Sequence, residues 1–559
     1  MILKFSFEYS SASFVYEKII LRTLKMFDLQ SSLAREKEEL VLYASSEDVD
    51  KLGDFASRLS LELPHSIFLY NTEVVANGTM PDTIFQLPQT PKLSMPFCPK
   101  CLIEVMDEKN ENYYNPFHQC EVCGYDAYGK KDNYKEKIQE AAKSIQDGLI
   151  IEVNTLYGKY SLGTLSEKCK DIDFDIVSFD LYTIEKYAYT SKSEILALGA
   201  IEKPFIELKT NLKFKMDFEY IQKEFIRFKL ADDFILYLLL MELNILGTNL
   251  VFLSKECTLG YSKLSLFESV NELEPIECVV SDTYVAILKG QRGLPDFNMN
   301  ANSKAKAIVA HIGAFNSVIK ERDLFDRTVV GVNLSREYHN DILVYAKKFG
   351  TIEYLSFEFA FESMAEVFEA IRATSETASR LMANYEKKYA KHYEEISKIV
   401  FEVKKFNIYA LWGIISIVLG FSKDANLTNA AKIFESKANS FLGTKGPRID
   451  YKLKSIDSKV YLDPLMTIRT AMSFRLAEVD SLTLSYGVVE SFVEFISTQL
   501  DEIKSEMKTN AVAVTGSLLG NKHLFTQLCR DVSINHNLYF NKELPVDGKN
   551  IEFGGSELL

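Results

Sequence analysis

The chain opens with MILKFSFEY, in which Leu3, Phe5, Phe7 and Tyr9 alternate onto one face and predict a strand. Phe14, Ile19, Ile20 and Leu24 then recur at helical spacing. ELVLY at 39–43 predicts a second strand. A helix capped near Ser45 follows, with Val49, Leu52, Phe55 and Leu59 on one face. Ser66 to Tyr70 predicts a last strand, so residues 1 to about 75 read as a small α/β unit. Pro81, Pro88, Pro91 and Pro96 mark a linker over 76–97.

Farther along, EAAKSIQDGLIIEVNTLYGKYSL predicts a helix, a glycine turn at Gly148, a buried strand and a loop. DDFILYLLLMELNILGTNLVFLS predicts a helix and then a strand. FNMNANSK at 297–304 is a polar, Asn-rich linker. KAIVAHIGAF and TVVGVNLS predict strands. Met382, Tyr385, Tyr389, Tyr393, Ile396, Val400 and Val403 fall three or four apart along one long amphipathic helix. That stripe is a packing face. NAVAVTGSLLGNKHLFTQL predicts a buried strand, a glycine turn and a helix. Strands that alternate with helices in this way predict an α/β multidomain protein.

Two apolar runs bear on membranes. Phe406 to Phe421 is shorter than the roughly 20 residues that a bilayer requires, and it predicts a buried helix. Phe234 to Leu253 is interrupted by Glu242, Asn244 and Asn249. No membrane insertion is expected. A strand in place of a secretory leader predicts a cytoplasmic protein. At about 150 residues per domain, 559 residues suggest three to four domains. Asp and Glu exceed Lys and Arg, 78 against 64, a net charge of −14 that argues against nucleic acid as the main partner.

Cysteine carries the sharpest chemistry. Cys98 and Cys101 form one CxxC, Cys120 and Cys123 a second, with eighteen residues between the pairs. Each pair can place two thiolates on one ion through a tight turn, which is four-cysteine zinc spacing. Gly124 suits a knuckle that needs a positive φ. Four sulfurs close the coordination shell, so the zinc is expected to be structural, with His118 a bystander. Cys169, Cys257, Cys278 and Cys529 are scattered and read as reduced thiols.

The stretch CPKCLIEVMDEKNENYYNPFHQCEVCG resembles the first zinc module of HypF, the carbamoyltransferase of nickel–iron hydrogenase maturation. Glu104, Tyr113, Pro116 and Phe117 fill the family's places between the cysteine pairs. The resemblance extends in order along the chain. It implies an acylphosphatase-like domain at 1–90, a four-Cys zinc knuckle at 95–130, a YrdC-like domain at 135–296 and an actin-like ATPase-type domain at 300–559. HypF has two zinc modules and this chain has one, so it looks closest to the shortened, divergent HydE type.

The same resemblance implies groups that bind nucleotide and a carbamoyl moiety. Thr155, Tyr157 and Gly158 look like the family's T-x-Y-G loop. Lys203 precedes Pro204 in a family Lys-Pro, Ser254 stands at the family's S-x-N, and Arg292 at its closing Arg-Gly. Gly516, Ser517 and Asn521 match a phosphate loop, and Asp547 a Pro-x-Asp-Gly stretch near the end. ATP is the cofactor so implied. Partners so implied are hydrogenase maturation proteins or the hydrogenase large-subunit precursor.

The departures fall on charged and metal-binding positions. YSSASFVYEK lacks the glycines and arginine of the family's acylphosphatase loop. Lys192-Ser193-Glu194 puts an acid where the family's K-x-R has arginine, and Ser254-Lys255-Glu256 replaces S-x-N. The family's C-terminal metal sits on a closely spaced histidine pair, and none of the seven histidines here has H-x-H or H-x-x-x-H spacing. A carboxylate beside a triphosphate repels it. The expectation is therefore a maturation factor whose catalytic sites are degenerate and which acts as a scaffold. An active ATP-dependent carbamoyltransferase is the first alternative. A threonylcarbamoyl-adenylate synthase for tRNA is the second, and the zinc knuckle argues against it.

Overall fold

The computed structural model describes residues 1–36, 38–81, 95–127, 129–255, 273–290, 309–402 and 407–555. It is α/β throughout and divides into two compact units. One is built from Met1–Cys278, the other around residues 309–555 with Val279–Leu288.

The first unit begins with β1 (Ile2–Tyr9), α1 (Val15–Phe27), β2 (Gln30–Glu36), β3 (Glu39–Ser45), α2 (Val49–Glu62) and β4 (Leu69–Asn77). The strands form an antiparallel sheet in the order β2-β3-β1-β4. The alternation of β1 buries Phe5, Phe7 and Tyr9 against the helices. Tyr9 stacks on Tyr16 of α1 at 4.2 Å, and Phe5 meets Phe55 of α2 edge-on. Asp48 caps α2 by accepting from the amides of Asp50 and Lys51.

A short helix α3 (Pro99–Met106) and a knuckle lead into the second sheet. Its elements are α4 (Lys135–Gln146), β5 (Ile151–Thr155), β6 (Gly158–Gly163), β7 (Asp175–Ser178), α5 (Leu181–Tyr187), β8 (Ala188–Tyr189), α6 (Lys192–Gly199), β9 (Ile206–Thr210), α7 (Leu212–Asp217), β10 (Phe225–Leu230), α8 (Phe234–Ile245) and β11 (Leu250–Ser254). The order is β5-β6-β11-β7-β10-β9-β8; β7 and β10 run parallel and the other neighbours antiparallel. A two-stranded ribbon of β12 (Glu277–Val280) and β13 (Val285–Lys289) follows.

The second unit holds α9 (Ala310–Glu321), β14 (Val329–Asn333), β15 (Asp341–Ala346), β16 (Gly350–Ser356), α10 (Met364–Thr374), α11 (Glu376–Lys388), α12 (Ala390–Ile396), α13 (Ile408–Leu419), α14 (Leu427–Ser440), β17 (Lys452–Ile456), β18 (Lys459–Asp463), α15 (Pro464–Leu476), α16 (Ser481–Met507), β19 (Ala511–Thr515), α17 (Lys522–Val532), β20 (Asn537–Tyr539) and α18 (Lys549–Gly555). Its sheet order is β17-β18-β16-β15-β14-β19-β20. Alternation along β14 gives Val330 and Val332 to a large core around Trp412 and α13, and Val329 to a smaller core under α9. All twelve residues of α13 are buried. Among the described residues no helix is long and apolar enough to cross a membrane.

Three sequence expectations are corrected. KAIVAHIGAF is not a strand where it is described: Ala310 onward is α9. Phe315, Val318 and Ile319 carry the helical period, and the last two lie beyond that segment. Gly554 lets α18 approach α9 closely, since a Cβ there would meet the Gly313 carbonyl at 1.9 Å. The strand expected at 66–70 runs instead over Leu69–Asn77, and β2 is added. The long tyrosine-striped helix breaks into α11 and α12 at Tyr389, although Met382, Tyr385 and Ile396 do pack into the core. Val400 is exposed, and Val403 and the 297–304 linker lie outside the described residues.

Candidate functional site

Cys98 stands at the N-cap of α3 and Cys101 in its first turn, so one sulfur pair faces a helix N-terminus, where negative charge is favoured. Cys120 and Cys123 flank a tight turn closed by the Gly124 amide on the Cys120 carbonyl, with Gly124 at φ 73°. All four sulfurs are buried and lie within 4.8 Å of one another. Cys98–Cys101 and Cys101–Cys123 are 3.6 and 3.5 Å apart. A zinc tetrathiolate with bonds of about 2.3 Å has edges of about 3.8 Å, so the donors fit zinc and leave no open position. Hydrogen bonding from Cys101, then from Cys123, Cys98 and His118, holds the Cys120 thiol far below the ordinary range. His118 is buried beside Cys120, with Nε2 3.2 Å from a Glu104 oxygen.

The knuckle is wired to α8. Tyr125 donates its hydroxyl to the Pro116 carbonyl at 3.2 Å and accepts the Phe234 amide at 3.1 Å. Phe97 stacks on Phe234 at 4.3 Å, and Tyr114 bonds Glu242 of α8. Asp233 caps α8 and also accepts the Leu156 amide at 3.0 Å. Burial pushes the Asp233 carboxyl up to about 7.

Leu156 belongs to the Thr155–Gly158 turn, a two-residue hairpin between β5 and β6 in which Gly158 has φ 107° and Thr155 Oγ1 bonds the Gly158 carbonyl. The Tyr157 ring lies 5.4 Å from the ammonium of Lys229. Lys229 and Asp232 form an ion pair at 2.7 Å with neither side chain exposed. Lys203 bonds the Gly199 carbonyl, and burial brings its ammonium down to about 8. Two residues before Lys229 on β10, Arg227 is clamped by Asp175 through two bonds of 2.7 and 3.0 Å and by Glu277 at 3.0 Å. The cations of this face thus meet carboxylates of the same chain.

Thr155, Tyr157 and Gly158 are brought together in this turn, and Lys203 is tied to the Gly199 carbonyl. Ser254 is committed elsewhere, donating to the Asp173 carbonyl at 2.6 Å. Arg292 and Glu256 lie outside the described residues. Glu194 closes a capping box on α6 with Ser191, which gives the acid a local structural task. Arg227, Lys229, Asp232 and Asp233 were missed in the sequence. Their signal was the alternation in FIRFKLADD, which sets Arg227 and Lys229 on one strand face and an Asp at a helix cap.

In the N-terminal domain the loop after β1 is filled by Arg35 of β2. Its guanidinium donates to the Ser11 and Ser13 carbonyls and pairs with the buried Glu17. The loop offers carbonyls where anion capture needs amides. The first sheet's surroundings are joined to those of the second by Glu202, which accepts from Ser66 Oγ at 2.7 Å and the Ile67 amide at 3.1 Å.

In the second unit β19 ends in Thr515, and Gly516 turns at φ 112°, so close to Leu334 that a Cβ would meet its carbonyl at 2.2 Å. Ser517 donates its amide to Asp547 at 2.6 Å. Ser335 and Tyr338 also donate to Asp547, and burial raises its carboxyl. Arg336 donates to the Ser517 carbonyl and pairs with Glu435. Gly516, Ser517 and Asp547 therefore meet at one point. Asn521 caps α17 instead, accepting the Leu524 amide.

The whole chain aligns on the crystal structure of full-length HypF in the phosphate- and nucleotide-bound form, with a TM-score of 0.62, 13% identity and 98% of that chain covered. The crystal structure of T. kodakarensis HypF aligns as fully, at a TM-score of 0.65 and 11% identity, again over 98% of that chain. The chain is HypF-like in fold. It is also 25% identical over 517 residues to Protein HydE of Wolinella succinogenes, covering 89% of this chain and 90% of that one. No family model matches it. The HypF-like fold thus runs through both units, and the four-cysteine centre lies inside it as the sequence spacing required.

Proposed function

We propose that this chain is a nickel–iron hydrogenase maturation factor that keeps the HypF-like fold and acts as an accessory scaffold in active-site assembly. Its full-length likeness to HypF structures and to Protein HydE supports the maturation role. The scaffold role rests on one observation: the Asp547 carboxylate lies on the Ser517 amide, where a phosphate group would otherwise be cradled. The clamp of Arg227 by Asp175 and Glu277 points the same way. The zinc holds the knuckle closed, and the partner is another maturation protein or the hydrogenase large-subunit precursor.

An active ATP-dependent carbamoyltransferase is the second reading, favoured by the buried Lys229 beside Tyr157. Carbamoyl-phosphate-dependent ATP–pyrophosphate exchange on the zinc-loaded protein separates the two. A scaffold gives no exchange beside a working HypF control. Exchange at the control's rate overturns the scaffold reading and makes the chain an enzyme.

A further inference from the structure

His311, Asp341 and Glu353 come from three elements of the second unit. His311 stands in the first turn of α9. Asp341 opens β15, paired with Asn333 of β14 and Ser356 of β16. Glu353 lies on β16, where the pairing slips between Ile342 and Leu343. Such a bulge re-aims side chains. One ligand atom from each residue lies within 4.8 Å of the others, and His311 Nε2 is 3.3 Å from an Asp341 oxygen.

Asp341 is 1% exposed, and neither of its oxygens makes a well-directed hydrogen bond, although the Asn333 side chain lies close enough to bear on it. His311 Nδ1 is likewise without a hydrogen-bond partner. The carboxylates that bear on Asp341, Glu353 and Glu358, carry its own sign. His339 is close by, its ring 5.2 Å from that of His311, and its Nδ1 is engaged by Glu358. A buried carboxylate among like charges is costly unless it is paired or bound to a metal. Glu353 is exposed and gives an ion a way in.

We propose that His311, Asp341 and Glu353 bind a divalent first-row transition-metal ion. One imidazole nitrogen with two carboxylate oxygens suits zinc, iron or manganese, whereas calcium takes oxygen donors alone. The site is unlike the knuckle, because it has no sulfur and three protein donors leave coordination positions open. It is also not the histidine pair that the family resemblance implies, since its donors are one histidine and two carboxylates, 30 and 12 residues apart.

The test is a cobalt(II) titration of the zinc-loaded, full-length chain, read by absorption and by metal analysis after dialysis. The expected result is one cobalt beyond the zinc, with ligand-field bands and no thiolate-to-cobalt charge transfer. Asp341→Asn abolishes this binding. Glu353→Gln, at an exposed position that leaves folding intact, weakens it at least tenfold. The proposal is overturned if no cobalt binds beyond the zinc, if cobalt appears only with thiolate charge transfer, or if Glu353→Gln binds as wild type does.

Discussion

The amide of Ser517 donates to the carboxylate of Asp547 at 2.6 Å. Thirty residues separate the two, and the hydroxyls of Ser335 and Tyr338 complete the ring of donors. A turn whose geometry suits an anion thus holds one supplied by its own chain.

Asp547→Ala leaves those three donors without their acceptor. The expected cost is about 3 kcal/mol in a urea titration of the full chain. Inorganic phosphate then fills the vacated turn, so the Tm of the variant rises with phosphate while that of wild type does not. Equal responses in both proteins would remove the carboxylate from its place as the occupant.

Cys98→Ser and Cys120→Ser each release the zinc and destabilise the protein, because three sulfurs and a hydroxyl no longer complete the tetrahedron. Zinc content by mass spectrometry and Tm are the readouts. A full equivalent of zinc in either variant counts against a four-cysteine centre.

Arg35 is expected to serve the fold of the N-terminal loop, where it holds two carbonyls and Glu17. The full-length chain should hydrolyse no acyl phosphate. Arg35→Ala should lower stability by about 3 kcal/mol, since it strands the buried Glu17 and two loop carbonyls. Measurable acyl-phosphate turnover that disappears in Arg35→Ala would refute this.

Asp233 links stability to pH. Its carboxyl titrates near 7 in the fold against about 3.9 when unfolded, so between these values the folded state holds the extra proton. The stability it contributes is complete below pH 4 and is lost as pH rises through 7. Asp233→Asn keeps the cap without the charge. Relative to wild type it should gain up to about 4 kcal/mol between pH 4 and pH 8. Parallel stability–pH curves for the two proteins would show that the carboxyl is not so shifted.

Much of this was legible in the sequence where a local rule governs. The CxxC pairs, the α13 run and the strand–glycine–helix at Ala511–Val532 needed only spacing and hydrophobicity. β4 was misplaced because NTEVVAN lies exposed at a sheet edge, so no buried face writes a period into it. The clamp on Arg227 was hidden for another reason: Asp175 and Glu277 lie 52 and 50 residues away, and only the folded sheet brings them in. Asp547 was read as a binding residue from its motif, yet its bond to Ser517 depends on a turn thirty residues upstream.

Tyr125 sits two residues past the last zinc ligand, its hydroxyl holds the first amide of α8, and Asp233 at that same helix end holds the Thr155–Gly158 turn. A cell starved of zinc would therefore slacken more than the knuckle. The supply of one metal would decide whether the Thr155–Gly158 hairpin, reached from the knuckle only through the first turn of α8, is set in place.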